Sequence, residues 1–230
     1  MGFGITIKIG RSIWIKDKVY FHNKRKIFGE KMSKANRFDQ NAATWDMSNM
    51  RQMLAKNIYD AIVKNIELND TMEVIDFGAG TGLLSRNIAL HVRSLLGVDT
   101  SSGMLEKLNE LGCENISTFH GDICKFETEK KYDGIVSAMT MHHVEHLDEL
   151  FVKLHELLKE GSFIAIADLM KEDGTFHADN DGVHHFGFDE EYLLSLAQKH
   201  GFSNVRYQKI FDVQKEAKEP YGIFLLTASR

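Results

Sequence analysis

The residues best suited to chemistry lie in a glycine-rich turn that follows a short apolar stretch. Val74 and Ile75 have the apolar character of a buried strand. The turn after them carries three glycines at alternate positions: Gly78, Gly80 and Gly82. Glycine accepts positive φ angles and has no Cβ, so a ligand can approach the backbone closely. Residues 83–89 continue with helical spacing, and the N–H groups of a first helical turn would face the same place. This order of strand, turn and helix predicts a cradle for a nucleotide-like ligand.

A second acidic signal lies at the end of the next apolar stretch. Residues 94–98 have the pattern of a strand and lead into Asp99, seventeen residues after Gly82. A carboxylate in this position can accept hydrogen bonds from both hydroxyl groups of a ribose. Asp99 is therefore a predicted ribose ligand. This feature alone does not distinguish a nicotinamide dinucleotide from an adenosyl sulfonium compound.

The spacing of the glycines separates these two cofactor classes. Nicotinamide dinucleotide folds use G-x-G-x-x-G, with the pyrophosphate at the N-terminus of the helix. This chain has G-x-G-x-G instead, and Asp76 stands two residues before the first glycine. A carboxylate beside the cradle would repel a pyrophosphate, whereas it suits a ligand that carries an ammonium and a sulfonium cation. The local chemistry therefore favours S-adenosylmethionine, with S-adenosylhomocysteine as the product left after transfer.

Five segments of the chain match one enzyme family. They are residues 38–46, 76–82, 97–105, 121–123 and 137–144. On these segments the chain resembles class I S-adenosylmethionine-dependent methyltransferases, of the group that includes ubiquinone/menaquinone methyltransferase-like proteins. The resemblance covers roughly residues 36–230. It implies an α/β fold, in which a Rossmann-like seven-stranded, mostly parallel sheet has helices on both faces and its last strand antiparallel. It says almost nothing about the methyl acceptor.

The resemblance also implies a set of cofactor-binding residues. They are Trp45, Asp76, Gly78, Gly80, Gly82, Asp99, Thr100, Met104, Asp122, Ile123 and Ala138. In proteins of this kind, the acid at position 122 would bond the adenine amino group, and Ile123 would lie against the ring. Two of these residues have a plain structural alternative. Trp45 could belong to the core instead of the cofactor wall, and Asp122 could cap a helix.

The remaining apolar stretches predict the elements that position these residues. Strands are expected at residues 116–120, 131–138, 162–167, 204–211 and 222–228. Helices are expected within residues 47–66, over 144–158 with Gly161 at the C′ position, and over 189–200 before Gly201. Residues 171–188 have no regular pattern. A loop of that length in a compact domain is usually a functional lid or disordered, and its aromatic and histidine content favours a lid.

Histidines are concentrated in two stretches near the predicted ligand edge. Of 11 histidines in the chain, six fall there: His142, His143, His146, His177, His184 and His185. They could bind a metal, satisfy loop backbone, or contact the substrate and remove its proton, since histidine titrates near neutral pH. No H-E-x-x-H signature is present and methyl transfer needs no metal, so no metal site is predicted. His142 or His143 is the expected general base, and His184 or His185 is expected to contact the substrate.

Composition and charge divide the chain into two predicted parts. Residues 1–31 carry eight Lys or Arg and only two Asp or Glu, although the whole chain has a net charge of −5. We expect these residues to be an accessory or flexible extension, with a strand hairpin within residues 5–15, and residues 32–230 to be the methyltransferase domain. A functional basic arm is the alternative. Two cysteines and the lack of a ~20-residue apolar run predict a cytoplasmic protein without a membrane span.

The leading hypothesis is a methyltransferase that acts on a small molecule. Its rivals are a nicotinamide-dependent oxidoreductase on the same sheet and a non-catalytic S-adenosylmethionine-binding or regulatory protein. The negative net charge disfavours a nucleic-acid partner, although the basic arm leaves RNA methylation open. The single proline, Pro220, excludes the Asn/Asp-Pro-Pro-Tyr/Phe motif of many amino-methyltransferases, which counts against DNA methylation. The acceptor atom and the oligomeric state are not predicted.

Overall fold

The computed structural model describes residues 34–215 and 219–230, which form part of one unit, Met32–Arg230. Its helices are α1 Lys34–Asn41, α2 Asn49–Asn65, α3 Ser85–Ile88, α4 Ser102–Glu110, α5 Leu147–Leu157 and α6 Glu190–Lys199. Its strands are β1 Glu73–Phe77, β2 Ser94–Asp99, β3 Ile116–His120, β4 Tyr132–Ala138, β5 Leu158–Leu169, β6 Ser203–Val213 and β7 Tyr221–Ser229. Short 3₁₀ segments cover Ala42–Met47, Ile123–Lys125 and Met141–His143. The hairpin expected before residue 31 lies outside the described residues, and the domain boundary there stays a prediction.

The seven strands form one sheet in the order β3-β2-β1-β4-β5-β7-β6. Neighbours from β3 to β5 pair in parallel, whereas β7 runs antiparallel between β5 and β6. This confirms the predicted fold class, including the inserted antiparallel last strand. The strand order reverses between β1 and β4, and ligands of open α/β sheets bind at the carboxyl ends of the strands at such a point.

Alternate residues of β1 face two layers of helices. Ile75 and Phe77 belong to the core shared with α5 and α6, while Val74 packs with Ile58 and Ile62 of α2; each of the five is at most 1% exposed. Burying a side chain of this size contributes ~1.5–3 kcal/mol. The sheet is therefore held from both sides, and its carboxyl edge is a firm base for the loops. In the described ranges, no helix is long and apolar enough to cross a membrane.

Two predicted boundaries are wrong because tertiary pairing overrides local pattern. The helix expected to run towards Gly161 ends at Leu157, and β5 starts at once with Leu158, which is fully buried and pairs with Tyr132. Gly161 lies inside this strand at φ +75°, where its N–H donates to the carbonyl of Arg230 (3.0 Å). Glycine is therefore needed at a strand irregularity here, and it does not end a helix.

The helix after the glycine turn is also shorter than expected. α3 covers only Ser85–Ile88 of the predicted stretch 83–89. Turns follow it, and the Arg93 N–H donates to the carbonyl of Met72 just before β2 begins. The helix is thus short because the chain turns back within a few residues to the amino end of the sheet, where β2 begins.

Gly134 in β4 provides a test of sheet packing. A Cβ at this position would lie 2.2 Å from Cζ of Phe163, its partner in β5. We expect Gly134→Ala to lower the free energy of unfolding by about 1–3 kcal/mol, because the ring must move within a packed layer. Urea unfolding of Gly134→Ala, Phe163→Leu and the double variant gives the coupling energy. Strictly additive losses would contradict this packing.

Candidate active site

A cavity of about 970 Å³ lies at the carboxyl ends of β1, β2 and β4. Its size is at the upper end of the range of small-molecule sites. One side is formed by the glycine turn and the acids after the first strands, and the other by histidines and aromatic rings. The segment Ala42–Met47, α2 and the loop 171–188 contribute further walls. The cavity thus joins the two groups of residues that the sequence singled out.

The three glycines of the turn meet different requirements. All adopt positive φ, at +69° for Gly78, +55° for Gly80 and +87° for Gly82. A Cβ on Gly78 would lie 2.1 Å from Thr140, and a Cβ on Gly82 would lie 2.4 Å from Leu108 of α4. Only at Gly80 would an added Cβ meet no described atom within 4 Å. Gly80 therefore leaves open the space that a ligand would use, while Gly82 serves helix packing.

Asp99 holds the glycine turn as well as lining the cavity. Its Oδ2 accepts the N–H of Gly80 (2.9 Å), and its Oδ1 accepts the N–H of Ser101 (2.8 Å). A carboxylate has about four acceptor positions, and Asp99 lies on the cavity wall, where ribose hydroxyls are predicted to bind. Thr100 and Met104, two further predicted cofactor ligands, lie on the same wall. The predicted contact with ribose itself stays a prediction.

Asp76 lies behind the turn, almost completely out of reach of solvent. It is 1% exposed, and its Oδ2 accepts a hydrogen bond from the Ser85 hydroxyl (2.6 Å). Burial raises the pKa of Asp76 to about 7, Asp99 adds to this rise, and the Ser85 hydrogen bond opposes it. A cation that enters the cavity would favour the ionised form. The acid suited to a cationic ligand is thus present, and near neutral pH it exists in both its protonated and its ionised form.

The structure supports the capping interpretation for Asp122. Its Oδ1 accepts the N–H of Cys124 (2.9 Å), which caps the segment Ile123–Lys125. Asp122 and Ile123 nevertheless line the cavity, so a further contact with an adenine remains compatible with the cap. Ala138, also on the wall, ends β4. The next residue, Met139, has φ +56°, a conformation that is rare outside glycine and marks a sharp change of chain direction here.

Trp45 lies on the cavity wall, between an aromatic ring and a cation. The Trp45 ring makes an edge contact with the Phe38 ring, with ring centres 5.6 Å apart. The Arg51 guanidinium lies 3.6 Å from the centre of the Trp45 ring. Arg51 also donates to the Trp45 carbonyl (3.2 Å). Arg51 was not predicted from the sequence, because a single arginine near the start of an amphipathic helix is usually a solvated surface residue.

His142 and His143 lie on the cavity wall opposite the glycine turn. His142 is 1% exposed; its Nδ1 lies 2.7 Å from Oδ1 of Asp168, and its Nε2 lies 3.1 Å from Nε2 of His177. Nδ1 of His143 lies 2.7 Å from the carbonyl oxygen of Gly182, so this nitrogen is the donor. In neutral His143, Nε2 is then the basic nitrogen. Both predicted bases are therefore placed at the cavity, with different surroundings.

The loop 171–188 is bound to this histidine pair. The N–H groups of His184 and His185 both donate to the carbonyl of His142 (3.0 and 3.2 Å). His184 lies on the cavity wall. His185 instead directs Nε2 to the Val144 carbonyl (2.9 Å) and packs beside Phe188, and burial lowers its pKa. Of the two predicted substrate contacts, the geometry favours His184, and it adds His177, which was not predicted.

Within the described residues, no group of three or more His, Cys, Asp or Glu is arranged to hold a metal ion. Asp168, His142 and His177 are instead hydrogen-bonded in a row.

Known proteins similar to this chain are methyltransferases. A family model for a methyltransferase domain matches residues 48–207. An uncharacterized methyltransferase of Schizosaccharomyces pombe is 31% identical over 165 residues, which cover 62% of this chain and 57% of that relative. One from Geobacillus sp. is 28% identical over 192 residues, covering 76% and 89%. The chain thus spans little more than half of the first relative's length.

The fold also matches solved structures. One is Haemonchus contortus phosphoethanolamine N-methyltransferase 2 in complex with S-adenosyl-L-methionine. It superposes with a TM-score of 0.66 at 17% sequence identity, covering 84% of this chain and 57% of that one. At this identity the likeness concerns the fold.

The raised pKa of Asp76 predicts a pH-dependent stability. The unfolded Asp loses its proton near pH 4, whereas the folded protein retains it up to about pH 7. The folded state binds more protons in between, so this contribution falls as pH rises, by up to about 1.4 kcal/mol per pH unit. We expect Asp76→Asn to gain stability relative to the wild type between pH 5 and 7 and to keep that gain above pH 7.

Urea unfolding at several pH values measures this difference. Ser85→Ala is the matched variant, because it removes the hydrogen bond that lowers the pKa of Asp76. It should extend the falling range to higher pH. Parallel stability curves for wild type and Asp76→Asn would show that the carboxyl has an ordinary pKa.

Proposed function

The chain belongs to the methyltransferase domain family, and we propose that it transfers a methyl group from S-adenosylmethionine to a small-molecule acceptor in the cavity. Family membership confirms the enzyme class that the sequence predicted. One observation carries the proposal for the site: a single cavity is lined both by the glycine turn with Asp99 and by the histidine pair. The identity of the acceptor and the roles of individual residues belong to the proposal.

The residues of the turn side fit S-adenosylmethionine. Gly80 leaves open backbone, Asp99 offers acceptors to ribose hydroxyls, and Asp76 provides a buried carboxyl behind the turn for a cationic ligand. Ile123, 5% exposed, gives an apolar surface for an adenine ring. The same features disfavour the oxidoreductase alternative, because a pyrophosphate would meet two acids beside the turn.

Bound S-adenosylmethionine supplies an electrophilic methyl group whose leaving group is a neutral thioether. The chain's own contribution is mainly to hold the acceptor atom in line with that group, and such positioning can supply up to ~7–11 kcal/mol. We propose that the histidine side of the cavity, which includes His142 and His143, handles the proton of the acceptor. The basic Nε2 of His143 would face an acceptor beside Phe38, whose ring packs 5.5 Å from the His143 ring.

The acceptor side favours a small molecule of mixed character. Its wall alternates aromatic rings with polar groups: Phe38, Trp45, His143, Phe176, His177 and His184. Pockets of this kind bind small ligands by apolar contact and orient them with few polar groups. The net charge of −5 gives no general attraction for nucleic acid. A cytoplasmic location stays a prediction.

Cofactor binding tests the turn side. Asp99→Ala removes the acceptor for ribose and also frees the N–H groups of Gly80 and Ser101, so we expect affinity for S-adenosylhomocysteine to fall by about 10- to 100-fold. Gly80→Val would fill the open space and abolish binding. Isothermal titration calorimetry measures both. Asp212→Asn, in β6, is the control and should bind like the wild type. Normal affinity in either site variant would remove that residue from the cofactor site.

Methyl transfer tests the histidine side. The enzyme is incubated with S-adenosylmethionine labelled in the methyl group and a cell extract separated into small-molecule, RNA and protein fractions. We expect label in the small-molecule fraction. His142→Ala and His143→Ala should lower this rate by ~10²–10⁴-fold, because a general base or a residue that orients it is lost, with affinity for S-adenosylhomocysteine within about twofold of the wild type.

His91→Gln controls for loss of a histidine far from the cavity. His91 lies between α3 and β2 at the amino end of the sheet, where its ring bonds the Tyr59 hydroxyl. Full rates in both site variants would refute a role of this histidine pair in the proton transfer. Label in the RNA fraction, lost on deletion of residues 1–31, would point to the basic arm and an RNA acceptor instead.

A further inference from the structure

We propose that Nδ1 of His177 is the atom that takes the proton from the methyl acceptor, and that His142 and Asp168 position His177 for this step. The inference rests on the proposed methyl transfer, because it concerns the proton of that reaction. Its basis is a row of three hydrogen-bonded side chains that runs from the buried end of β5 to the cavity wall. Nothing in the sequence pattern linked His177 to the other two residues.

Asp168 fixes the orientation of the row. It is fully buried near the end of β5, and its two oxygens accept the N–H groups of His142 (3.0 Å, to Oδ2) and Leu169 (2.7 Å, to Oδ1). Hydrogen bonds from two backbone N–H groups favour the ionised form of the carboxyl, and an ionised carboxylate can only accept. The 2.7 Å bond to His142 must therefore carry its hydrogen on Nδ1 of the imidazole.

This assignment determines the next two nitrogens. With Nδ1 of His142 protonated, the Nε2 of the neutral ring is a lone-pair acceptor. The partner 3.1 Å away is Nε2 of His177, which must then be the donor. In neutral His177, the basic nitrogen is consequently Nδ1. Each donor in the row thus points towards Asp168, and the basic nitrogen of the row is Nδ1 of His177, the ring farthest from Asp168.

The difference in exposure between His142 and His177 indicates that His177 is the ring that contacts the acceptor. His142 is 1% exposed and both its ring nitrogens bond protein groups, so it acts only through its neighbour. His177 is half-buried and lies on the cavity wall. In this respect the row resembles the orienting part of a Ser-His-Asp triad, in which a buried carboxylate sets the tautomer of an imidazole. Here a second imidazole extends the row into the cavity.

The loop is anchored so that His177 is held in place. Phe176, 5% exposed, packs edge-on against Tyr221, with ring centres 5.2 Å apart, and against His177, at 4.9 Å. The Thr175 and Tyr221 hydroxyls lie 2.7 Å apart, and the Phe176 N–H donates to Glu172 (3.1 Å). The residue before His177 is therefore part of the core, which limits the movement of the imidazole.

The chemical step is a simple proton transfer. The bond between hydrogen and the acceptor atom breaks, the proton binds Nδ1 of His177, and the electron pair stays on the acceptor atom. This pair would form the new bond to the methyl carbon, while the carbon–sulfur bond of the methyl donor would break and leave its electron pair on the neutral thioether sulfur. The resulting imidazolium is stabilised by the buried carboxylate through His142, and water takes its proton after the reaction. Such a base is useful for an acceptor that carries its proton near neutral pH, such as a hydroxyl or an amine, and gives nothing to a carboxylate.

His177→Gln tests the proton transfer. The glutamine amide can still donate to Nε2 of His142 but has no basic nitrogen. We expect the rate of label transfer to the small-molecule fraction to fall by ~10²-fold or more, with affinity for S-adenosylhomocysteine within about twofold of the wild type. Added imidazole should partly restore the rate of His177→Ala and leave that of His91→Gln unchanged. Full activity of His177→Gln would overturn the proposal and leave His143 as the base.

Nitrogen-15 NMR of labelled histidines tests the row without any reaction. In the neutral wild type we expect hydrogen on Nδ1 of His142 and on Nε2 of His177. Asp168→Asn should move the His142 hydrogen towards Nε2 and lower kcat, again with S-adenosylhomocysteine affinity retained. Hydrogen on Nδ1 of neutral His177 would overturn the proposal. A wild type that binds no S-adenosylhomocysteine would instead refute the proposed function, while the NMR result would still decide the tautomers.

Discussion

Carboxylates that accept backbone N–H groups at the carboxyl edge of the sheet are the interaction on which the site depends. Asp99 holds Gly80 and Ser101, and Asp168 holds the backbone of His142. Asp39 of α1 accepts from the Ser101 hydroxyl and the Gly103 N–H, which together keep its pKa below the ordinary value. Each of these loops has backbone donors that no strand can satisfy, and a buried donor without a partner would cost about 1–3 kcal/mol. Acids at strand ends therefore stabilise the backbone of the loops even without a bound ligand.

Three of the cavity's acids lie together on the turn side. Asp76, Asp99 and Asp122 line that side, whereas the opposite side carries the histidines together with Glu145 and Asp179. The proximity of Asp76 and Asp99 helps to raise the pKa of the buried Asp76, so the apo protein reduces their repulsion by keeping a proton. A cationic ligand replaces that proton as the source of positive charge. Burial, which is unfavourable for the ionised carboxyl of Asp76, would thus favour the cationic ligand of the proposed function.

The sequence predicts the sheet and the turn well because their determinants are local. Apolar strands of five to seven residues, glycines at alternate positions and acids at strand ends all act within short windows, and β1 to β4 lie close to where the pattern indicates. The start of β5 could not be predicted in this way. Leu158 joins a strand only because Tyr132, far away in the chain, offers a partner. The same applies to Gly161, whose role depends on Arg230.

The site was predictable only as far as local spacing reached. Individual histidines were visible, but their roles depend on contacts across 26 residues from His142 to Asp168 and 35 residues from His142 to His177. Contacts between residues so far apart in the chain produce no periodic pattern in the sequence. Arg51 was missed for a related reason, since only the folded structure brings its guanidinium over the Trp45 ring.

The loop 171–188 connects access to the cavity with the chemistry in it. Its backbone bonds the carbonyl of His142, and its Gly182 carbonyl bonds Nδ1 of His143. Any movement that opened this loop widely would break both contacts and would carry His177 away from His142. The loop therefore differs from a lid that only excludes water. Because the groups that orient both histidines belong to the loop, the proton-accepting arrangement exists only while the loop is in place, and its closure over an acceptor would also assemble the base.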